Sequence, residues 1–145
     1  MTLLDRAGIA ARIPHAGTMC LLDAMLACDA ERIACRAHGL ADPQHPLRTA
    51  SGLRAPAAVE YASQAMALHG ALNAGGAARA RVGFLAALRG FVMHVPRLDD
   101  AATPIEVRAA LLAGDARQAL YRFELADAAG ALLAEGRATV VLEAA

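Results

Sequence analysis

The stretch DPQHPLRTASGLRAPAAVEYASQAMALHGAL, Asp42 to Leu72, decides how this chain of 145 residues is read. Its first half is polar and broken by Pro43, Pro46 and Gly52, which predicts a long loop over Ala41 to Ala55. Long loops in compact domains often carry function. Pro56 suits the first turn of a helix, where its missing N–H has no intrahelical role. An alanine-rich helix is expected to run from there to about Asn73 and to end at Gly75-Gly76. Val59, Ala62, Ser63, Met66 and Gly70 form its expected small, apolar stripe, with Glu60 and Gln64 one turn apart on an adjoining face. Two residues carry the chemical interest: His45 on the loop and Glu60 on an otherwise almost uncharged helix. A base and an acid that hold different protons near neutral pH need contrasting surroundings, and these two positions offer that contrast.

Outward toward the N-terminus, Thr2 to Ala11 is expected as a short amphipathic helix stopped at Ile13-Pro14. Ile13 to Met19 reads as a loop. Cys20 to Cys28 and Arg32 to Leu40 read as two strands joined around Asp29-Ala30-Glu31, with helix as the competing reading because alanine is abundant. Toward the C-terminus, Arg81 to Pro96 reads as one long strand bent near Gly90. Pro104 to Leu112 alternates apolar Ile105, Val107, Ala109 and Leu111 with Glu106 and Arg108. Turns at Ala113-Gly114-Asp115 and Asp127 to Gly130 lead to strands at Gln118 to Leu125 and Leu132 to Leu142. Short turns between alternating strands mean antiparallel hairpins. Two strands, one long helix and an antiparallel meander make an α+β chain with the helix on one sheet face. The length fits one domain over residues 1–145, and no repeat or linker is visible.

Composition narrows the function. Formal net charge is zero, and all fourteen basic residues are arginine with no basic block, so nucleic acid is an unsupported partner. Aromatics are only 3% of the chain. A core so poor in them is expected to gain apolar contact by oligomerisation. Cys20, Cys28 and Cys35 are odd in number and lack CxxC spacing, which points to free thiols in buried strands and a cytoplasmic location. Asp5 and Arg6 interrupt the apolar N-terminus, making it a poor signal peptide, and no run is long enough to span a membrane. The histidines and cysteines show no metal-ligand spacing, and there is no nucleophile elbow or glycine-rich phosphate loop. No cofactor is implied.

Three stretches resemble the hotdog-fold 3-hydroxyacyl-ACP dehydratases of fatty acid and polyketide synthesis: IPHAGTMCLLD (Ile13 to Asp23), His45-Pro46, and EYASQ (Glu60 to Gln64). With EYASQAMALHGAL, the later GFLAALRGFVMHVPRLDD and GRATVVL look like the divergent dehydratases of aryl polyene and related clusters. The resemblance implies a curved antiparallel sheet around one long central helix. It implies His45 as base for the α-proton, Glu60 as acid for the departing hydroxyl, and a site whose histidine and carboxylate come from different subunits. The partners so implied are an acyl carrier protein bearing a 3-hydroxyacyl chain and a second hotdog subunit, identical or not. Gln64 is expected to orient Glu60 or contact substrate, and His15 to brace the loop beside it. The chain departs from the family pattern in reading Leu47-Arg48 after His45-Pro46 and Ala55-Pro56-Ala57 at the helix start. Pro56 has no N–H, so Ala57 or Ala58 is expected to supply the amide that meets the thioester oxygen.

The residues also admit quieter roles. A loop histidine is most often solvated, and a first-turn glutamate is favoured by the helix dipole alone. His38, His69 and His94 are expected to be structural, Met66 to be core, and Arg54, Arg89 and Arg97 to be surface groups able to meet an acidic carrier. Two rival functions remain: a hotdog thioesterase, which would use the helix carboxylate to activate water, and a non-catalytic subunit that completes a heterodimer.

Overall fold

The computed structural model describes residues 2–13, 17–73 and 83–142. One antiparallel sheet of seven strands carries one long helix. In chain order come β1 (Leu4–Asp5), α1 (Arg6–Ala10), β2 (Ala24–Cys28), β3 (Arg32–Ala37), α2 (Ala58–Asn73), β4 (Gly83–Met93), β5 (Ile105–Gly114), β6 (Gln118–Ala126) and β7 (Leu132–Leu142). The strand order across the sheet is β1-β2-β3-β5-β6-β7-β4. This is the hotdog arrangement that the sequence led us to expect.

Local chemistry explains the elements. Asp29 turns the chain between β2 and β3 by accepting the amides of Glu31 and Arg32 through Oδ1, both at 2.8 Å. Asp115 does the same between β5 and β6 for Arg117 and Gln118. In β5 the period-two pattern holds: Ile105, Val107 and Ala109 are buried, while Glu106 and Arg108 are not. The outward pair continues across strands, with Arg108 Nε 2.9 Å from Glu124. β4 bends where expected: its register against β7 shifts between Arg89 and Val92, and Gly90 adopts φ +57. Gly136 lets β4 lie close, because a Cβ there would press on Phe123 and on the Phe91 backbone.

Helix α2 packs on β3, β5 and β6. Its buried face is Ala58, Tyr61, Ala62, Ala65, Leu68 and His69, with Gln64, Met66 and Ala71 alongside. The expected stripe is therefore rotated: Val59 and Ser63 are half-buried and Gly70 is exposed. The helix buries Tyr61 and Leu68 completely, and small alanines between them let it approach the sheet. Burying a side chain such as Leu68 stabilises the fold by about 2 kcal/mol.

Other expectations shift by a few residues. A two-residue strand β1 precedes α1, pairing Leu4 with Met25, where a helix was expected throughout. Cys20 lies before β2 rather than in it, and a 3-10 turn covers Gly17–Met19. His38 and His94 fall just past the ends of β3 and β4. The helix-ending glycines Gly75-Gly76, like His15, lie outside the described residues. The least legible feature was where β4 sits: it follows α2 yet pairs with β7, so it forms the far edge of the sheet. Leu85, Leu88, Val92 and Met93 along it are 38–48% exposed.

Candidate active site at the loop and helix start

The loop before α2 is ordered by short local bonds. Asp42 Oδ1 accepts the Gln44 amide, the His45 amide donates to the Asp42 carbonyl, and the Arg48 amide donates to the His45 carbonyl. Thr49 and Gly52 exchange two backbone bonds of 3.0 Å. Gly52 has φ +94, and a Cβ there would overlap the Arg97 guanidinium and the Asp99 carboxylate. Asp99 fastens this region. Arg97 grips it through Nε and Nη2 at 2.7 and 2.6 Å, and Arg48 Nη1 lies 3.5 Å away. The hydrogen bond from Arg97, helped by backbone amides and the Arg97 charge, holds the Asp99 carboxyl well below the usual carboxylate range. Arg97 is thereby engaged, whereas Arg54 and Arg89 are exposed.

His45 is half-buried and both ring nitrogens are bonded within the chain. Nε2 lies 2.7 Å from the Tyr61 hydroxyl, and Nδ1 accepts the Leu47 amide at 3.1 Å. Burial lowers the His45 pKa below its ordinary value; Asp42 opposes this and Arg48 adds to it. Tyr61 is fully buried, and burial raises its phenol pKa. The intrachain partner of His45 is thus Tyr61. Glu60 sits half-buried in the first turn of α2, about 100° around the helix from Tyr61. These two bonds tie the His45 ring to α2 and to its own loop.

The amides at the helix start are bonded within the chain. The Ala57 amide donates to the Arg54 carbonyl at 3.0 Å, and the Ala58 amide is directed at the carbonyls of Ala55 and Pro56. The Ala55 amide donates to the Pro96 carbonyl. The two amides expected to meet a thioester oxygen are therefore engaged in the 3-10 turn Ala55–Ala57 that Pro56 helps to form. Beside this turn an open cleft of about 640 Å³ is lined by Arg54, Ala55, Pro56, Met93, His94, Val95 and Pro96.

Gln64 is wholly buried and serves the fold. Oε1 accepts the Leu21 amide at 2.8 Å and Nε2 donates to the Met19 carbonyl at 2.6 Å, clamping that segment onto α2. His69 is structural as expected: Nε2 donates to the Asp29 carbonyl at 2.9 Å, leaving Nδ1 to accept from the Tyr121 hydroxyl at 2.8 Å. Burial keeps its pKa low. Met66 is core, and the three cysteines are free. Among the described residues no group of three His, Cys, Asp or Glu side chains is placed to hold a metal ion. No helix among them is long and apolar enough to cross a membrane.

Sequence reading missed Tyr61 and the Arg97–Asp99 pair. A signal for Tyr61 was present: the chain has only two tyrosines, and the hydroxyl of a buried tyrosine usually finds a partner. Both pair with histidines here. A second cleft of about 560 Å³, across β3, β5 and β6, touches none of these site residues.

A family model described as ApeP-like, ApeP dehydratase, matches residues 7–144. No curated protein sequence matches the chain. Among solved structures, a chain of the dehydratase heterocomplex ApeI:P from Xenorhabdus doucetiae superposes with a TM-score of 0.82 at 20% identity, covering 97% of this chain and 92% of that one. The PaaI protein of the E. coli phenylacetic acid degradation operon gives 0.58 at 14% identity, over 81% of this chain and 80% of that one. The thioesterase HI1161 from Haemophilus influenzae gives 0.59 at 14% identity, over 83% and 77%. Identities this low show a shared fold.

Proposed function

This chain belongs to the ApeP-like dehydratase family, and on that footing we propose that it is one subunit of a two-subunit hotdog dehydratase. Its reaction converts a carrier-bound 3-hydroxyacyl thioester to the trans-2-enoyl thioester. The α-proton leaves to a base, the β-hydroxyl is protonated, and water departs. Glu60 is the proposed acid that protonates the departing hydroxyl: it sits half-buried in the first turn of the central helix, next to the Tyr61 that bonds His45. The His45 loop faces the same chemistry across the subunit boundary.

The observation that carries the two-subunit reading is the state of the helix start. The amides of Ala55, Ala57 and Ala58 are all engaged, and Pro56 has none. None of these three amides is a ready donor for an enolate-like oxygen, which supports a site completed by a second subunit. The exposed apolar edge β4 supports this, running from beside that helix start along the open side of the sheet. An edge of this kind is a template for pairing with another chain. The solved relative named as a heterocomplex is itself a two-component dehydratase. An acyl carrier protein in the cytoplasm is the proposed source of substrate, with exposed Arg54 beside the cleft to meet its acidic surface.

A second reading is that this subunit completes the assembly without performing the proton transfers itself. The two occupied nitrogens of His45 favour it. The test is reconstitution: the purified chain, alone and with a second hotdog subunit, is given a 3-hydroxyacyl carrier protein, and enoyl product and free thiol are both measured. Enoyl product from the pair supports the proposal. Free thiol without enoyl product indicates a thioesterase, and turnover by the pair that survives His45→Ala and Glu60→Gln selects the second reading.

A further inference from the structure

The sheet face turned away from α2 carries a row of arginines that strand register assembles. Arg32 on β3 stands opposite Ala110 on β5, and Ala110 opposite Arg122 on β6. Arg122 stands opposite Arg137 on β7, and Arg137 opposite Arg89 on β4. These arginines are all exposed. Like charges directly opposite on neighbouring strands oppose folding, yet Arg122, Arg137 and Arg89 follow one another across three adjacent strands. The sequence shows no basic block, because each of them lies on a different strand.

The carboxylates of this face do not relieve the row. Arg108 holds Glu124 at 2.9 Å and lies 3.7 Å from Glu106, and Glu135 is bonded to His94 at 2.7 Å. Asp29 directs Oδ1 at the amides of Glu31 and Arg32. It sits at the Arg32 end, so the uncompensated charge lies toward Arg122. Among the described residues, no carboxylate is within ion-pair distance of Arg122, Arg137 or Arg89.

Where the row crosses β5 the surface is hollow. Ala110 lies between Arg32 and Arg122, and the neighbouring row runs through Ala27, Ala34 and Arg108 on β2, β3 and β5. Methyl groups beside long side chains leave a cleft of about 560 Å³, with the alanines as floor and Arg32, Arg108 and Arg122 as walls. Strands lie about 4.8 Å apart and alternate residues of one strand about 7 Å apart, so all three arginines can extend over Ala110. Guanidinium forks match the oxygens of a phosphate. The volume is in the range of sites that hold whole small molecules and not single ions.

We propose that this cleft binds a small organic phosphate, its phosphate held between Arg122 and Arg32 above Ala110 and its organic part lying on the alanine floor. Arg108 keeps its carboxylates and adds a third positive wall. Arg137 and Arg89 raise the potential at the Arg122 end. A long polyanion fits less well, because Glu124 and Glu135 form their own row alongside. The site is separate from the His45 loop and independent of the proposed dehydratase chemistry.

The test is a titration of the 15N-labelled chain, in its soluble assembled form, with phenyl phosphate at constant ionic strength. Saturable amide shifts are expected at residues 32–34, 108–110 and 122–124, with Kd below about 1 mM. Phenyl phosphate should bind more tightly than inorganic phosphate, because its ring covers the alanine methyls. Arg122→Gln removes a charged contact and Ala110→Leu fills the floor, and each should weaken binding at least about tenfold. Both residues lie on the outer face, so amide signals far from the cleft should stay in place. If either variant fails to fold, Arg32→Gln, with the same expected weakening, replaces it. Arg117→Gln makes the same charge change on the β5–β6 turn and should alter Kd less than about twofold. Shifts that never saturate, that sodium chloride reproduces, or that Arg117→Gln weakens equally mean general charge attraction and overturn the proposal. Binding that survives Arg122→Gln or Ala110→Leu overturns it as well. Inorganic phosphate binding as tightly as phenyl phosphate overturns the organic ligand.

Discussion

Gln64 accepts the amide of Leu21, a residue 43 positions away in sequence, at 2.8 Å, while its own amide group donates to Met19. One buried side chain thus fastens the segment before β2 onto the central helix. Gln64→Leu keeps the volume and removes both partners. Leaving a buried N–H and C=O without partners costs on the order of 3 kcal/mol. Urea denaturation should show that loss with an unchanged m-value; a loss under about 1 kcal/mol would mean that water replaces the amide.

The clamp around Asp99 predicts a sensitive glycine. Gly52→Ala places a methyl group against Arg97 and Asp99 and holds alanine at φ +94. Strain of that sort costs about 2 kcal/mol. The Arg97–Asp99 grip should loosen with it, so the His45 loop should become susceptible to limited proteolysis. Unchanged cleavage kinetics would show that the loop does not depend on this contact.

Tyr121→Phe removes the proton that satisfies His69 Nδ1, leaving a buried acceptor without a partner. A loss of about 2 kcal/mol is expected, with little change at the His45 loop, since the two pairs bind different backbone segments.

Acid should destabilise the protein in a defined direction. Burial holds the pKa values of His45 and His69 below the ordinary value of 6.5. Below that value the unfolded chain binds protons that the folded chain does not, so stability is full above about pH 6.5 and falls as pH drops through the folded values. Asp99 works in a lower window: its depressed pKa gives stability present above about pH 4 and lost on further acidification. Urea midpoints measured from pH 7.5 to pH 3 should fall in these two stages. A midpoint that stays flat between pH 6.5 and 5 would contradict the histidine part.

Much of the fold was legible because hairpin strands announce themselves. β7 matches its expected span, and β5 and β6 end within two residues of theirs, since alternation and turn aspartates are local signals. The placement of β4 was not legible, because pairing with β7 rather than β5 is set by how the chain crosses α2 and not by any property of Gly83 to Met93. The candidate site divides in the same way. His45 and Glu60 stood out by residue type in their local surroundings. The tie between His45 and Tyr61 spans 16 positions and depends on the rotation of α2, which its many alanines left weakly specified. The expected stripe was turned away from Tyr61 for that reason. The engaged amides follow from the 3-10 turn around Pro56, where the sequence indicated a helix start and not its hydrogen-bond pattern.

The exposed β4 edge also bears on abundance. Leu85, Leu88, Val92 and Met93 are side chains that folding alone does not shelter, so supply of this polypeptide has to match supply of whatever covers them. Copies made in excess have only one another to pair with, and production of the chain by itself should yield self-associated or insoluble material. Leu88→Lys with Val92→Lys should restore a monodisperse monomer, with stability changed by no more than about 0.5 kcal/mol because both sites are exposed, and should abolish capture by a second hotdog subunit. Sedimentation of the variant and of the wild-type chain, each alone and mixed with that subunit, checks both halves of this statement.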